Sequence, residues 1–290
     1  MTDNLRGALF ITLAMFGFAI EDMFIKIMAD AIPVGQILLM LGLGGAVVFG
    51  TKAHRAGGQI LSPALLTRPV MVRNLCELVG TIGFVLSFVL ASLATASAIL
   101  QATPLVVTLG AVLFLGEKVG WRRWSAIAVG FAGVMLIVRP GTAGFEPASL
   151  FAIIGVLGLA GRDVSTRLVP RNISSAQIST WAFAMLVPAG LFLMAAMRTP
   201  LILPDAMTSI IYVLTLGIGV LSYSALVAAM RVGDLSFVTP FRYTRIVFAL
   251  VVGLVIFGEQ VDAIMLLGAT MVVGAGLFTW WREARLRARG

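Results

Sequence analysis

Apolar residues recur along this chain in stretches of about twenty, separated by short polar connectors, and that spacing constrains the fold more than any other feature. A helix rises about 1.5 Å per residue, so roughly twenty residues cross the ~30 Å hydrocarbon core of a bilayer. The runs are rich in Leu, Ala and Met and lack dyad alternation, which argues against a membrane β-barrel. With 60% hydrophobic and 12% charged residues and a mean hydropathy of +1.04, there is too little charge to cover a soluble domain. The first run has no A-x-A-like exit and carries charges near its end, so it reads as a retained first helix rather than a cleaved signal.

Ten spans are expected, over residues 6–28, 33–51, 70–91, 95–115, 122–138, 148–168, 175–197, 205–229, 235–257 and 263–281. Turn chemistry such as Arg139-Pro140-Gly141 and Arg198-Thr199-Pro200 separates them. Lys and Arg together number 21 against 13 acids. In a soluble protein that excess would suggest nucleic acid, but here most of the cations lie between apolar spans. Fifteen of the 21 fall on the even-numbered connectors and the two tails or at the span ends that flank them, including Lys52, Arg55, Arg68, Lys118, Arg122, Arg123, Arg171 and Arg282. The bias predicts both termini in the cytoplasm and an even number of spans. Trp121, Trp124, Trp280 and Trp281 stand where interfacial aromatic belts form.

The first span contains Gly17, Ala19, Asp22 and Lys26; the sixth contains Gly158, Ala160, Asp163 and Arg167, each 141 positions on. Gly116, Glu117 and Val119 meet Gly258, Glu259 and Val261 at an offset of 142. Two matches at nearly one offset point to duplication of a five-helix unit, with halves 1–141 and 142–290 forming one transport domain. An odd number of spans per unit forces the second copy to enter from the opposite side. The expected fold is therefore an all-α integral membrane protein, ten transmembrane helices in a 5+5 inverted repeat. Inverted repeats commonly build secondary transporters with a site near the midplane.

The ten-span plan, the Gly-Glu pairs ending spans four and nine, and Arg139-Pro140-Gly141 after span five resemble the drug/metabolite transporter superfamily, EamA-type branch. The resemblance covers nearly the whole chain through short motifs. It is nearest to a bacterial subgroup that includes YddG-like amino-acid exporters and some metabolite or vitamin uptake proteins. It implies alternating access around a central cavity in a bacterial-type inner membrane, and leaves direction and substrate open.

Ionisable groups inside spans face a cavity or a partner, because exposure to lipid costs a few kcal/mol or more. Asp22 with Lys26, Asp163 with Arg167, and Arg73 with Glu77 are i,i+4 neighbours and read as local structural pairs, with Lys26 and Arg167 snorkelling outward. Glu21 and Arg162 occupy equivalent repeat positions with opposite sign and lack an opposite charge three or four residues away. A direct bridge between them needs tilt or long side chains. In span nine, Arg242 reads as reaching the cytoplasmic surface, while Arg245 is either a structural counter-ion or a substrate anchor. Glu21, Gln101, Arg162, Tyr243 and Arg245 form the expected substrate-binding set; Gln101 alternatively only bridges helices. Pro104, Pro188 and Pro240 read as hinges or as tolerated kinks. Glu117 and Glu259 read as interfacial structural groups.

The single cysteine, Cys76, and single histidine, His54, leave no transition-metal cluster and no intramembrane serine–histidine pair. No Gly-Lys phosphate loop is present, which disfavours ATP-driven pumping. A membrane enzyme or scaffold, or a channel, ranks below a small-molecule transporter without cofactor, nucleic acid or obligatory protein partner. Charges of both signs suit a zwitterion such as an amino acid, which makes amino-acid export the leading expectation. Phe and Met beside them also fit uptake of a vitamin or nucleoside-derived metabolite.

Overall fold

The computed structural model describes residues 3–60, 63–116, 120–170, 172–232 and 238–287. It is built of α1 (Asp3–Met28), α2 (Val34–Arg55), α3 (Arg68–Leu90), α4 (Leu93–Leu100), α5 (Thr103–Leu115), α6 (Trp121–Val138), α7 (Ser149–Thr166), α8 (Ser175–Met197), α9 (Ala206–Val232), α10 (Thr244–Ile256) and α11 (Ala263–Arg287). Two 3₁₀ turns, Pro63–Leu66 and Thr239–Tyr243, complete the described elements. Taking α4 and α5 as one crossing, nine spans among the described residues are long and apolar enough to traverse a membrane. The tenth crossing is the Thr239–Tyr243 turn continued by α10; the predicted start of that span, at 235, lies outside the described residues.

The helix ends follow local chemistry. Ser174 accepts a hydrogen bond from the Gln177 amide while the Gln177 side chain accepts one from the Ser174 amide, a reciprocal cap that starts α8. Asp205 and Asp262 accept from the amides of Thr208 and Met265 at the starts of α9 and α11, both at 2.8 Å. Gly116 ends α5 in the left-handed region at φ 68°, where a side chain would be strained. Arg139 and Arg198 take the same conformation at the ends of α6 and α8.

Cross-packing of the two halves establishes the inversion. α1 packs on α9, α2 on α8, α3 on α7, α4 on α10 and α6 on α11. Exchanging each crossing with its counterpart five crossings away returns the same set of pairs. The paired helices also run antiparallel: Gly80 meets Gly158 while Gly83 meets Gly155, and Gly35 meets Gly190 while Gly45 meets Phe183. The second and seventh crossings are repeat equivalents in direct contact, so their antiparallel course requires that the halves have opposite orientation. Glycine at these points lets backbones approach to distances a Cβ would not permit. The largest buried cluster lies at this junction and includes Ile37, Phe88, Leu93, Ile99 and Val272. Phe114 and Val255, by contrast, are exposed on the protein surface, as befits side chains that meet hydrocarbon.

Candidate functional site

The fourth and ninth crossings are both interrupted, and the interruptions meet. α4 ends at Leu100 and α5 resumes at Thr103, while the Thr239–Tyr243 turn precedes α10. Gln101, in the first break, donates from Nε2 to the backbone carbonyls of Tyr243 at 3.1 Å and Arg242 at 3.5 Å in the second. Gln101 and Tyr243 are 142 positions apart, so the contact joins repeat-equivalent points. Both residues are buried, and the Tyr243 hydroxyl lies against Gly276 of α11. Gln101 thus bridges helices, and the Tyr243 ring faces α11.

Around this junction the intramembrane charges form two groups. In the first, Arg245 Nη2 donates to Asp22 Oδ2 at 2.6 Å, joining α10 to α1. The guanidinium lies 5.4 Å from the ring centroid of Phe18 and 5.2 Å from that of Phe84. The expected Asp22–Lys26 pair is replaced. Asp22 is buried at a depth where it needs an equally buried counter-charge, which Arg245 supplies. Lys26, a turn further along α1, donates instead to the Ala91 carbonyl at 2.6 Å and to Glu259 Oε1 at 2.9 Å.

In the second group Glu77 accepts from Arg73 at 3.2 Å and from Arg162 at 3.0 Å, and Arg162 also bonds Asp163 at 2.8 Å. Arg73 and Glu77 pair as expected, but Arg162 joins them across the α3–α7 interface and does not bridge to Glu21. Asp163 therefore receives a bond from its neighbour Arg162, and Arg167 stands at the C-terminal cap of α7. Arg242 is half-buried and lies within electrostatic reach of Asp163, Arg162 and Arg245. Its side chain has no ion pair among the described residues.

Glu21 is a third case. Its carboxylate sits beside Gly219 of α9, close enough that a Cβ there would stand 2.5 Å from Oε1. It has no hydrogen bond or ion pair among the described residues, although Asp22 and Arg245 are within electrostatic reach.

At the end of the bundle remote from the termini, Glu259 gathers four donors. They are Lys26 Nζ, Ser92 Oγ at 2.8 Å, and the Leu93 and Ala94 amides at 2.7 and 2.9 Å. The carboxylate thus closes the N-terminus of α4, where free amides and the helix dipole favour negative charge. Glu117, its repeat equivalent, lies outside the described residues. Nearby, Arg139 bonds Asp262, whose carboxyl it holds down at about 2. A cavity of about 320 Å³ opens beside them, lined in part by Thr95, Glu146, Ser149 and Gln260. Neither the Lys26–Glu259 bond nor the role of Gly219 was evident from local sequence. The repeat offset was the available signal, since it aligns Gly219 with Glu77.

Comparison with known proteins agrees with this architecture. A solved structure described as a crystal structure of a protein superposes with a TM-score of 0.57, at 17% identity, covering 94% of this chain and 98% of that one. The riboflavin transporter of Rhizobium johnstonii is 29% identical over 66% of this chain and 62% of its own length, so the matched part spans less than two thirds of that relative. The S-adenosylmethionine uptake transporter of Rickettsia felis is 26% identical over 76% of this chain and 74% of its own. The pseudopaline exporter of Pseudomonas aeruginosa is 26% identical over 93% and 94%. The model of the EamA-like transporter family matches twice, at residues 5–139 and 147–281, two segments offset by 142 positions. With both halves matched in this way, the chain belongs to the EamA-like transporter family, within the drug/metabolite transporter superfamily.

Proposed function

We propose that this protein is an inner-membrane secondary transporter, with both termini cytoplasmic, that takes up a polar, ring-bearing metabolite of nucleoside or flavin type by alternating access. Halves 1–141 and 142–290 act together as one transport domain. The observation carrying this reading is the placement of both signs of charge where the halves meet, beside Phe18 and Phe84 and next to the paired helix breaks. Arg245 is committed to Asp22 and serves as a counter-ion, so Arg242 takes over as the contact for an anionic or acceptor group of the cargo. The riboflavin and S-adenosylmethionine relatives support this chemical class, and the name of the second supports uptake.

Amino-acid export is the second reading. The match to the pseudopaline exporter, which extends over nearly all of both chains, favours outward movement, and charge of both signs suits a zwitterion. Purified protein in proteoliposomes separates the readings. Saturable uptake and counterflow of S-adenosylmethionine or riboflavin are expected. Counterflow of amino acids alone supports export, and chemical alteration of the cargo rejects transport.

A further inference from the structure

The repeat relation makes the α1–α9 and α3–α7 interfaces two copies of one arrangement. Gly17 corresponds to Gly158, and Ser222 to Gly80; in the structure Gly17 abuts Ser222 as Gly158 abuts Gly80. One turn along each helix, Arg162 faces Glu77, and at the corresponding place Glu21 faces Gly219. The α3–α7 copy fills its charge with a partner side chain. In the α1–α9 copy the position that would supply the partner is a glycine. Asp22, beside Glu21, cannot compensate, because it is an acid and is already bound to Arg245.

We infer that Glu21, whose carboxylate lies where a side chain at Gly219 would otherwise stand, is the receptor for the cationic group of the cargo, an organic ammonium or sulfonium. The inference rests on the transporter reading above and assigns one end of its substrate. An uncompensated carboxylate inside a membrane-spanning helix is costly, and an organic cation paired with it removes the cost. Soft organic cations shed water more readily than small inorganic ions.

The test requires no knowledge of the natural cargo. Gly219→Cys is introduced into a Cys76→Ala background, and labelling by a cationic thiosulfonate is compared with labelling by an anionic one of similar size. The expected result is a cationic preference of about tenfold or more, as focused fields in clefts produce. Glu21→Gln should abolish it, and millimolar tetramethylammonium should slow labelling only when Glu21 is present. A preference unchanged by Glu21→Gln overturns the inference, as does equal protection by sodium. If Gly219→Cys does not fold, thermal unfolding of wild type and Glu21→Gln in tetramethylammonium chloride against equimolar sodium chloride serves instead; equal responses of the two proteins overturn it. Failure of the transporter reading shows separately, as no saturable movement of any charged metabolite while the labelling preference persists.

Discussion

The α3–α7 and α1–α9 interfaces descend from one pattern and handle charge in opposite ways. Where α3 meets α7, Arg73, Glu77, Arg162 and Asp163 pair with one another across two helices. Where α1 meets α9, Asp22 is satisfied from α10 and Glu21 is left facing a glycine. The same backbone packing occurs twice, and the copies differ at 77 and 219: one is a structural clamp, and the proposed cation receptor lies at the other. An inverted repeat therefore need not divide its function evenly between the halves.

The comparison breaks most visibly at Glu77. Glu77→Ala leaves Arg73 and Arg162 buried without their shared acid, and removing one partner of such a pair costs about 3–5 kcal/mol. A large fall in melting temperature and in monodisperse yield is expected, measured by thermal unfolding in detergent. The matching change at the open interface, Glu21→Gln, should leave stability unchanged or raise it. Similar losses from both substitutions would end the distinction drawn here.

Arg242 and Arg245 sharpen it. Arg242→Gln should weaken a carboxylate-bearing cargo by one to two orders of magnitude, since a charge-assisted bond is worth roughly 1.5–3 kcal/mol. Analogues with an amide in place of the carboxylate should be little affected. Arg245→Gln should act mainly on stability, by stranding Asp22. Competition assays with both analogue classes check this; discrimination lost through Arg245 alone would restore it as the anchor.

A smaller effect is expected at the end remote from the termini. Lys26→Ala removes one of the four donors to Glu259, so labelling of a cysteine placed by Thr95→Cys should speed up several-fold from that side. An unchanged rate means that the three remaining bonds hold the closure alone. The smallest effect concerns Asp262. Arg139 keeps its carboxyl at about 2, below the ordinary 3.8, so the pair stabilises the fold above the ordinary value and loses that contribution as pH falls toward 2. The group is exposed, so the difference in melting temperature between wild type and Asp262→Asn should be slight at pH 6 and vanish near pH 2.

How far the chain could be read depended on how local each cause was. Crossing lengths follow from apolar runs, and every described span overlaps its expected range. Proline was a poorer guide. Pro104 sits in the first turn after the α4–α5 break and Pro240 at the start of the Thr239–Tyr243 turn, where a missing amide costs little, while Pro188 lies inside the unbroken α8. Charge partners were least legible. Arg73 and Glu77 share a helix and were found, but Glu77–Arg162, Asp22–Arg245 and Lys26–Glu259 are separated by 85, 223 and 233 residues. Each of those pairs depends on which helices abut, and periodicity along a single helix does not encode that.

The Glu259 cap also bears on the order in which the protein can be completed. The amides of Leu93 and Ala94, in the first half, are satisfied by a residue that leaves the ribosome after nearly nine-tenths of the chain. Until residue 259 is inserted, the start of α4 has unmet donors at the membrane boundary and Lys26 lacks its counter-charge. A nascent chain carrying only the first five crossings therefore holds these two amides and Lys26 without their shared acceptor.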